Sequence, residues 1–172
     1  MSHHKIRGGD DLARFISARY SGKVVEVGVG SAPEVALSIS GTVDLVATDR
    51  ESRTVGRLDV VGDDIFTPDL DLYRGASLIY SIRPPLEIQL AMGRVAKDVG
   101  ADLIVRDLAG EVAAICGFRR TLVNFGEARF YLFSPTAPLP SASNPSASNP
   151  SASNPSASNP STTKAPSSSH PP

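Results

Sequence analysis

Residues 23–34 read KVVEVGVGSAPE and combine a short β-branched run with a glycine-rich break. The run Lys23–Val27 has the composition of a buried strand. Gly28 and Gly30 interrupt it, and glycine most readily adopts the sharp backbone turns that follow strands. Pro33 has a fixed φ that suits the first turn of a helix. We therefore predict a strand, a glycine turn and a helix that begins at about Pro33.

The same alternation of apolar runs and helical patterns continues along the chain. Further strands are predicted at 43–48, 58–61, 77–82 and 102–105, and helices at 10–18, 33–40 and 86–98. In the first helix, Asp10 or Asp11 is expected at the N-cap. The last helix is expected to be amphipathic, with one face formed by Leu86, Leu90, Gly93 and Lys97. Apolar strands that alternate with helices predict an α/β fold, with a mostly parallel sheet and helices on both faces.

The pattern changes after residue 109. Two strand-like runs, 118–125 and 128–133, are separated only by Gly126 and Glu127. Two residues of this kind between two strands are typical of a β-hairpin. We therefore predict a C-terminal antiparallel hairpin at the edge of the sheet.

The end of the chain has a different composition. Residues 135–172 contain ten of the fourteen prolines and one charged side chain, Lys164, and SASNP occurs four times in succession over 141–160. Such a sequence has too little apolar surface to offset the entropy lost on ordering. We predict a folded domain over 1–134 and a disordered Ser/Pro/Asn-rich tail over 135–172.

Composition argues against several classes of protein. The sequence has no run of about 18 apolar residues, so no membrane span is predicted. The first ten residues lack the apolar segment of a secretory signal, and a cytoplasmic location is expected. With a formal net charge of −1, RNA is a possible partner that bulk electrostatics do not indicate. Cys116 is the single cysteine, lies in an apolar run and is expected to be buried.

Candidate site residues follow from where each strand ends, because ligands of such sheets bind beyond the carboxyl ends of the strands. The second strand ends at Asp49, which lies 21 residues after Gly28. A carboxylate there can accept hydrogen bonds from two ribose hydroxyls. The third strand ends at Asp63 and Asp64, which can accept from an adenine amino group. This pattern indicates a nucleoside site, whereas Pro33 does not fit the third glycine of a dinucleotide fingerprint.

Three short motifs resemble those of class I S-adenosylmethionine-dependent methyltransferases. They are Glu26-x-Gly28-x-Gly30, Asp49 and Gly62-Asp63, and the predicted hairpin is also a feature of that Rossmann-like fold. The likeness covers about residues 20–133. More closely, VEVGVG, DDIF and LIYSIRPP resemble a small, uncharacterised archaeal protein family with this methyltransferase-type fold.

The resemblance implies S-adenosylmethionine as the cofactor and gives each motif a role. The methionine part would be held by Glu26, Gly28 and Gly30. Asp49 would bind the ribose, and Asp63 would bind the adenine amino group, with Asp64 as the alternative one residue further on. We expect no metal ion, although the three aspartates would also suit magnesium.

The fourth motif, LIYSIRPP, departs from that of the amino-group methylases of adenine. Those enzymes carry Asn or Asp before Pro-Pro and an aromatic residue after it, whereas this chain has Arg83 and Leu86. Arg83 would instead hold an anionic group of the substrate, such as a phosphate or a carboxylate, with Ser81 and Tyr80 as hydrogen-bond partners nearby. In a structural alternative, Arg83 pairs with a carboxylate and fixes the Pro-Pro turn.

Two functions are compatible with these motifs. The first is an enzyme that moves a methyl group from S-adenosylmethionine to an unknown small-molecule or RNA acceptor. The second is a non-catalytic module that binds S-adenosylmethionine or a nucleotide, which the short domain favours because it leaves little room for substrate loops. Arg50, Arg53 and Arg57, at spacings of three and four, are expected to form one basic face that is solvated or contacts RNA or phosphate. The oligomeric state does not follow from the sequence.

Overall fold

The computed structural model describes residues 6–107 and 110–136. The chain divides into two units, Met1–Ala137 and Pro138–Pro172, and the second lies wholly outside the described residues. The predicted disorder of the SASNP repeats therefore stays a prediction.

Within the described residues the chain forms four helices and eight strands. The helices are α1 (Gly9–Arg19), α2 (Glu34–Ile39), α3 (Leu70–Tyr73) and α4 (Leu86–Val99). The strands are β1 (Lys23–Val27), β2 (Asp44–Asp49), β3 (Arg53–Val55), β4 (Leu58–Gly62), β5 (Ala76–Ile82), β6 (Asp102–Arg106), β7 (Phe118–Phe125) and β8 (Ala128–Pro135).

All eight strands belong to one sheet, in the order β3-β4-β2-β1-β5-β6-β8-β7. The five inner neighbours β4, β2, β1, β5 and β6 pair in parallel. Strand β3 pairs antiparallel with β4, and the hairpin β7–β8 joins the other side through an antiparallel pairing of β8 with β6. The predicted mostly parallel sheet with a C-terminal antiparallel hairpin is confirmed. The chain reverses its direction of travel across the sheet between β1 and β5, so a ligand cleft is expected at the carboxyl ends of these strands.

Strand β1 carries valines that point to both sides of the sheet, because both of its faces are covered. Val24 packs in a cluster with Leu12 and Ile16 of α1, and with residues of α2. Its neighbour Val25 points to the opposite face and packs in a cluster with Met92 of α4. Successive side chains of a strand alternate between faces, so one short run stabilises both helical layers.

The buried face of α4 differs from the predicted one. Gly93 is buried as expected, but Leu86 and Leu90 are 40% and 43% exposed, and Lys97 is exposed. The helix instead buries a face that includes Met92 and the small residues Ala91, Gly93 and Ala96. A Cβ added at Gly93 would lie 2.5 Å from a side-chain carbon of Ile115. Small side chains on this face let the helix pack closely, and spacing alone could not distinguish this face from the leucine face.

Three other predictions are wrong. Helix α1 begins after Gly8, which is its N-cap, so neither Asp10 nor Asp11 has that position. Cys116 is exposed rather than buried. The arginines of 50–57 do not form one face, because Arg53 lies in β3 and bonds to Gly30, whereas Arg57 donates to the carbonyl of Leu37 at 2.9 Å.

Asp11 connects the start of α1 to the hairpin turn. Its buried carboxylate accepts from the N–H of Glu127 at 2.7 Å and pairs with Arg14. These two contacts outweigh its desolvation and lower the pKa of Asp11, so the group is ionised at neutral pH. The N-terminal residues are thereby joined to the C-terminal hairpin.

The described residues contain no helix that is both long enough and apolar enough to cross a membrane.

Replacing Gly8 by alanine should destabilise the domain. Gly8 has φ of +73°, and an added Cβ would lie 2.5 Å from the carbonyl oxygen of Glu127 in the hairpin turn. Left-handed strain and overpacking together should cost roughly 2–5 kcal/mol in the free energy of unfolding. Gly41→Ala is the matched control, since an added Cβ there would meet nothing within 4 Å. Urea denaturation of both variants checks the difference, and equal stabilities would contradict it.

Candidate functional site

A cleft of about 120 Å³ lies beyond the carboxyl ends of β1, β2 and β4. It is lined by Val27, Gly28, Thr48, Asp49, Arg50, Asp63, Asp64, Ile65, Phe66 and Ile88. Four of the predicted cofactor residues, Gly28, Asp49, Asp63 and Asp64, thus lie around one cleft. The other predicted site residues, Glu26, Gly30, Tyr80, Ser81 and Arg83, are not among the residues that line it.

The loop after β1 depends on the backbone freedom of its two glycines. Gly28 has φ of 70° and Gly30 has φ of 56°. A Cβ added to Gly28 would meet nothing within 4 Å, so the left-handed conformation rather than lack of space requires glycine there. This turn lets the N–H groups of Gly28 and Val29 both donate to the carbonyl of Thr48, at 2.9 and 3.2 Å. The loop is therefore fixed to the end of β2.

Asp49 fastens the same loop through its side chain. Its Oδ2 accepts from the N–H of Gly30 at 3.0 Å and from Arg53 at 2.7 Å, and its Oδ1 accepts from the N–H of Arg50 at 2.8 Å. Arg53 also donates to the carbonyl of Gly30 at 2.7 Å. Burial opposes ionisation of Asp49, but the bonds from Arg53, Arg50 and Gly30 outweigh it and lower its pKa. Since each carboxylate oxygen can accept about two hydrogen bonds, Oδ1 keeps capacity for one more donor.

The two aspartates after β4 have different surroundings. Asp63 accepts from the N–H of Asp69 at 2.9 Å and from the hydroxyl of Tyr73 at 2.5 Å, so both of its oxygens already hold the segment that leads into α3. Burial and the bond to Asp63 raise the pKa of Tyr73, which stays a hydroxyl donor. Asp64 is exposed, and its side chain accepts from the N–H of Phe66 at 3.0 Å. Of the two, Asp64 is the carboxylate more available to a ligand.

Glu26 and Tyr80 form a buried pair on the α1–α2 side of the sheet. The Tyr80 hydroxyl donates to Oε2 of Glu26 at 2.6 Å, and both residues are at most 1% exposed. Burial, together with the nearby carboxyl groups of Glu34 and Asp49, raises the pKa of Glu26 to about 7, against the effect of the hydrogen bond from Tyr80. Within the described residues, Oε1 of Glu26 and Oε2 of Glu34 are buried without a hydrogen-bond partner. Three carboxyl groups therefore surround the glycine loop with unused acceptor capacity.

The candidate catalytic residues on and directly after β5 have separate surroundings. Tyr80 is used by Glu26, and the Ser81 hydroxyl, 2% exposed, donates to the carbonyl of Val27 at 2.6 Å. Arg83 is exposed and has φ of 60°, an unusual value for a residue with a side chain. Its backbone N–H donates to the carbonyl of Arg106 at 2.6 Å.

Gln89, rather than Arg83, fixes the Pro-Pro turn. Its fully buried amide donates to the carbonyls of Pro84 and Glu111, at 2.9 and 3.0 Å, and accepts from the N–H of Ala113 at 2.9 Å. No carboxylate of the described residues pairs with Arg83 in a salt bridge. The structural alternative for Arg83 therefore finds no support in these contacts. Helix α4 does start directly after the two prolines, with Pro85 as its N-cap.

Sequence reasoning did not identify Phe66, Arg53 or Gln89 as parts of this region. Phe66 is 47% exposed at the cleft, and its only sequence signal is an aromatic residue just after the acidic end of a strand. Arg53 follows Asp49 by four residues, but its spacing to Arg50 and Arg57 is also typical of a basic surface. No group of three or more His, Cys, Asp or Glu side chains in 6–107 and 110–136 is placed to hold a metal ion.

Comparison with known proteins identifies the family. The model of UPF0146, an uncharacterised protein family, matches residues 10–134. The chain belongs to this family. A UPF0146 protein of Methanothermobacter thermautotrophicus is 46% identical over 127 residues, which cover 71% of this chain and 92% of the relative. Another, from Archaeoglobus fulgidus, is 40% identical over 123 residues, which cover 70% and 91%.

Solved structures show that this UPF0146 chain has a methyltransferase-like fold. An S-adenosyl-L-methionine methyl transferase from Silicibacter pomeroyi aligns with a TM-score of 0.53 at 13% identity, over 74% of this chain and 89% of that one. A Methanococcus maripaludis protein classed with the S-adenosyl-L-methionine-dependent methyltransferases aligns with a TM-score of 0.52 at 12% identity, over 81% and 99%. At these identities the likeness concerns the fold alone.

Replacing Glu26 by glutamine in this UPF0146 protein should change how its stability depends on pH. The raised pKa means that the folded state keeps the Glu26 proton up to about pH 7, whereas the unfolded chain releases it near 4.5. The wild type should therefore lose roughly 3 kcal/mol of stability from this group as the pH rises through that window. Glutamine cannot ionise, so the stability of the variant relative to the wild type should increase as the pH rises from about 4.5 to 7.

Urea denaturation of both proteins across this pH range measures the difference in the free energy of unfolding. Tyr80→Phe is a useful companion variant, because it removes the hydrogen bond that favours the charged form of Glu26 and should extend the loss of stability to higher pH. A stability difference between wild type and Glu26→Gln that is constant with pH would refute the assignment of a raised pKa.

Proposed function

We propose that the cleft beyond β1, β2 and β4 binds S-adenosylmethionine, and that the protein transfers its methyl group to a small-molecule or RNA acceptor not yet identified. The observation that carries this proposal is the convergence of a left-handed glycine loop, an ionised aspartate and an exposed aromatic ring beyond the carboxyl ends of β1, β2 and β4. The fold shared with methyltransferase structures supports it.

The adenosine part of the cofactor fits the residues that line the cleft. Ile65 and Ile88 give apolar walls, and Phe66 offers a ring on which adenine can stack. Asp64 is the more available acceptor for the adenine amino group, since it is more exposed than Asp63 and each oxygen of Asp63 already accepts one hydrogen bond. A ribose hydroxyl can donate to Oδ1 of Asp49.

The charge of the cofactor also fits this region. S-Adenosylmethionine carries a sulfonium and an ammonium group, and Glu26, Glu34 and Asp49 lie close enough to one another to raise the pKa of Glu26. A cation beside them would relieve this mutual repulsion. The buried, unpartnered oxygens of Glu26 and Glu34 could accept from the ammonium after a local displacement of their neighbours. The same carboxyl groups would oppose the phosphates of ATP or NAD.

The cleft is small for a whole cofactor. Its volume of about 120 Å³ is well below the roughly 300–1,000 Å³ of typical small-molecule pockets, so the ligand would lie partly in the open. We place the sulfonium end towards β5, where Arg83 is exposed beyond the strand end. When bound, S-adenosylmethionine supplies a methyl group that an acceptor displaces directly. The chain would contribute alignment of the two reactants.

A non-catalytic binding module is the second candidate function. The observation that favours it is that Tyr80 and Ser81 are both buried and engaged in hydrogen bonds, and neither presents a polar group to an acceptor. Such a module would retain cofactor binding without turnover, so affinity and methyl transfer must be measured separately.

Replacing Phe66 by alanine should weaken cofactor binding. Loss of a stacking ring typically costs about 1–3 kcal/mol per base. Calorimetric titration should give micromolar binding of S-adenosylmethionine and S-adenosylhomocysteine to the wild type, none of ATP or NAD, and an affinity reduced in proportion to that cost in the variant. Leu70→Ala is the matched control, because Leu70 is similarly exposed, at 41%, but does not line the cleft. Binding that Phe66→Ala leaves unchanged would exclude the ring from the site, and no binding to the wild type would exclude the cofactor.

Arg83→Gln should abolish methyl transfer and leave cofactor affinity nearly unchanged, since Arg83 does not line the cleft. The measurement is transfer of a labelled methyl group to RNA and small-molecule fractions of Methanothermobacter thermautotrophicus. Arg94→Gln, an exposed arginine on α4, is the control. Cofactor binding without labelling of either fraction by the wild type would favour the binding module.

A further inference from the structure

A second cleft, of about 480 Å³, lies beside the carboxyl end of β6. It is lined by Arg7, Arg106, Asp107, Gly110, Glu127 and Arg129, and we call it the arginine cleft. Arg106 is the last residue of β6, and Arg129 lies in β8, which pairs with β6. The proposed cofactor site lies at the same edge of the sheet, beyond the carboxyl ends of β1, β2 and β4.

Arg83 adjoins this cleft through the backbone. Strands β5 and β6 pair in parallel with Ile82 opposite Arg106, and the N–H of Arg83 donates to the carbonyl of Arg106 at 2.6 Å. The left-handed backbone at Arg83 precedes a proline, a position where extended conformations are preferred. Strained conformations of this kind are found most often at functional sites.

Positive charge exceeds negative charge in the arginine cleft. Three guanidinium groups face two carboxylates, those of Asp107 and Glu127. Glu127 pairs with Arg7 at 3.3 Å, in a contact whose side chains are 85% and 62% exposed, and Asp107 accepts from the N–H of Gly110 at 2.6 Å. Arg129 has no salt-bridge partner among the described residues. Arg83 adds a fourth guanidinium close by.

Arg106 has unused hydrogen-bonding capacity. Its Nη2 donates to the carbonyl of Arg7, whereas Nη1 is buried and has no partner among the described residues. Burial, and secondly the guanidinium of Arg83, lower the pKa of Arg106, against the effect of Asp107. A buried, unpartnered donor within a group of like charges is stabilised by an anion that accepts from it.

We propose that the arginine cleft binds a phosphate group, and that the acceptor of the proposed methyl transfer is a phosphate ester. The second part rests on the proposed function, whereas phosphate binding stands without it. Several guanidinium groups match the multi-oxygen phosphate group better than they match a single carboxylate, because each planar fork can donate two parallel hydrogen bonds. The ester is either a phosphorylated small molecule or an RNA backbone, which share this group.

The test is calorimetric titration of the full chain, without cofactor, with three probes, inorganic phosphate, ribose 5-phosphate and a short oligouridylate, and with ribose as the control that lacks a phosphate. We expect at least one ester to bind more tightly than ribose alone, and Arg129→Gln to weaken that binding by about tenfold or more. Arg119→Gln is the matched control, because Arg119 is an exposed arginine of the same hairpin that does not line the cleft. Tighter binding of ribose 5-phosphate would identify a small acceptor, and tighter binding of the oligouridylate would identify RNA.

Arg106→Gln is the second variant, and it should also lose ester binding. Because Arg106 donates to the carbonyl of Arg7, the melting temperature of the Arg106→Gln variant is measured as well. If that variant unfolds, the binding of the Arg129→Gln variant decides the outcome. Binding of no probe, or equal binding by wild type and Arg129→Gln, would overturn the proposal. S-Adenosylmethionine affinity of the same proteins is measured separately, so that a failed phosphate site is distinguished from a failed cofactor site.

Discussion

The carboxylate of Asp49 joins the end of β2 to the loop that follows β1, and the candidate site depends on this contact. Its Oδ2 accepts from both Gly30 and Arg53, and Arg53 also donates to the carbonyl of Gly30. The loop can take this position only because Gly28 and Gly30 have positive φ. Since β1 and β2 are neighbours in the sheet, the glycine turn, the aspartate and the arginine form one rigid edge for the cleft.

The buried carboxyl group of Glu26 next to this edge affects both the stability of the domain and its affinity for cations. Glu26 is buried with Tyr80, and its pKa is raised first by burial and then by the nearby carboxyl groups. Apolar packing on both sides of β1 stabilises the sheet enough to hold such a group. Buried ionisable groups with shifted pKa values occur most often at functional sites, and a cationic ligand would reduce the cost of the charge at Glu26. Beyond β5 the local charge is positive, because the guanidinium groups of Arg83 and Arg106 lie close to each other.

Much of the fold could be predicted because apolar runs and glycine breaks are local signals. Strand β1 occurs at the predicted residues, and the hairpin was predicted from two runs separated by two residues. The exposure of Leu90 and Cys116 could not be predicted, since helix orientation and loop burial are set by distant packing partners. The site shows the same limit. The motifs predicted that Asp49 lies at the cleft, but the sequence does not show that the Asp63 carboxylate accepts a hydrogen bond from the Tyr73 hydroxyl.

The most direct test of this account is a crystal structure of the protein with S-adenosylhomocysteine. We predict that the adenine ring stacks on Phe66, the ribose contacts Asp49, and the amino acid end lies against the loop that contains Gly28 and Gly30. The sulfur should then face the end of β5. A ligand bound elsewhere, or density only for protein at saturating ligand concentration, would contradict the claim that the glycine loop held by Asp49 forms a cofactor site.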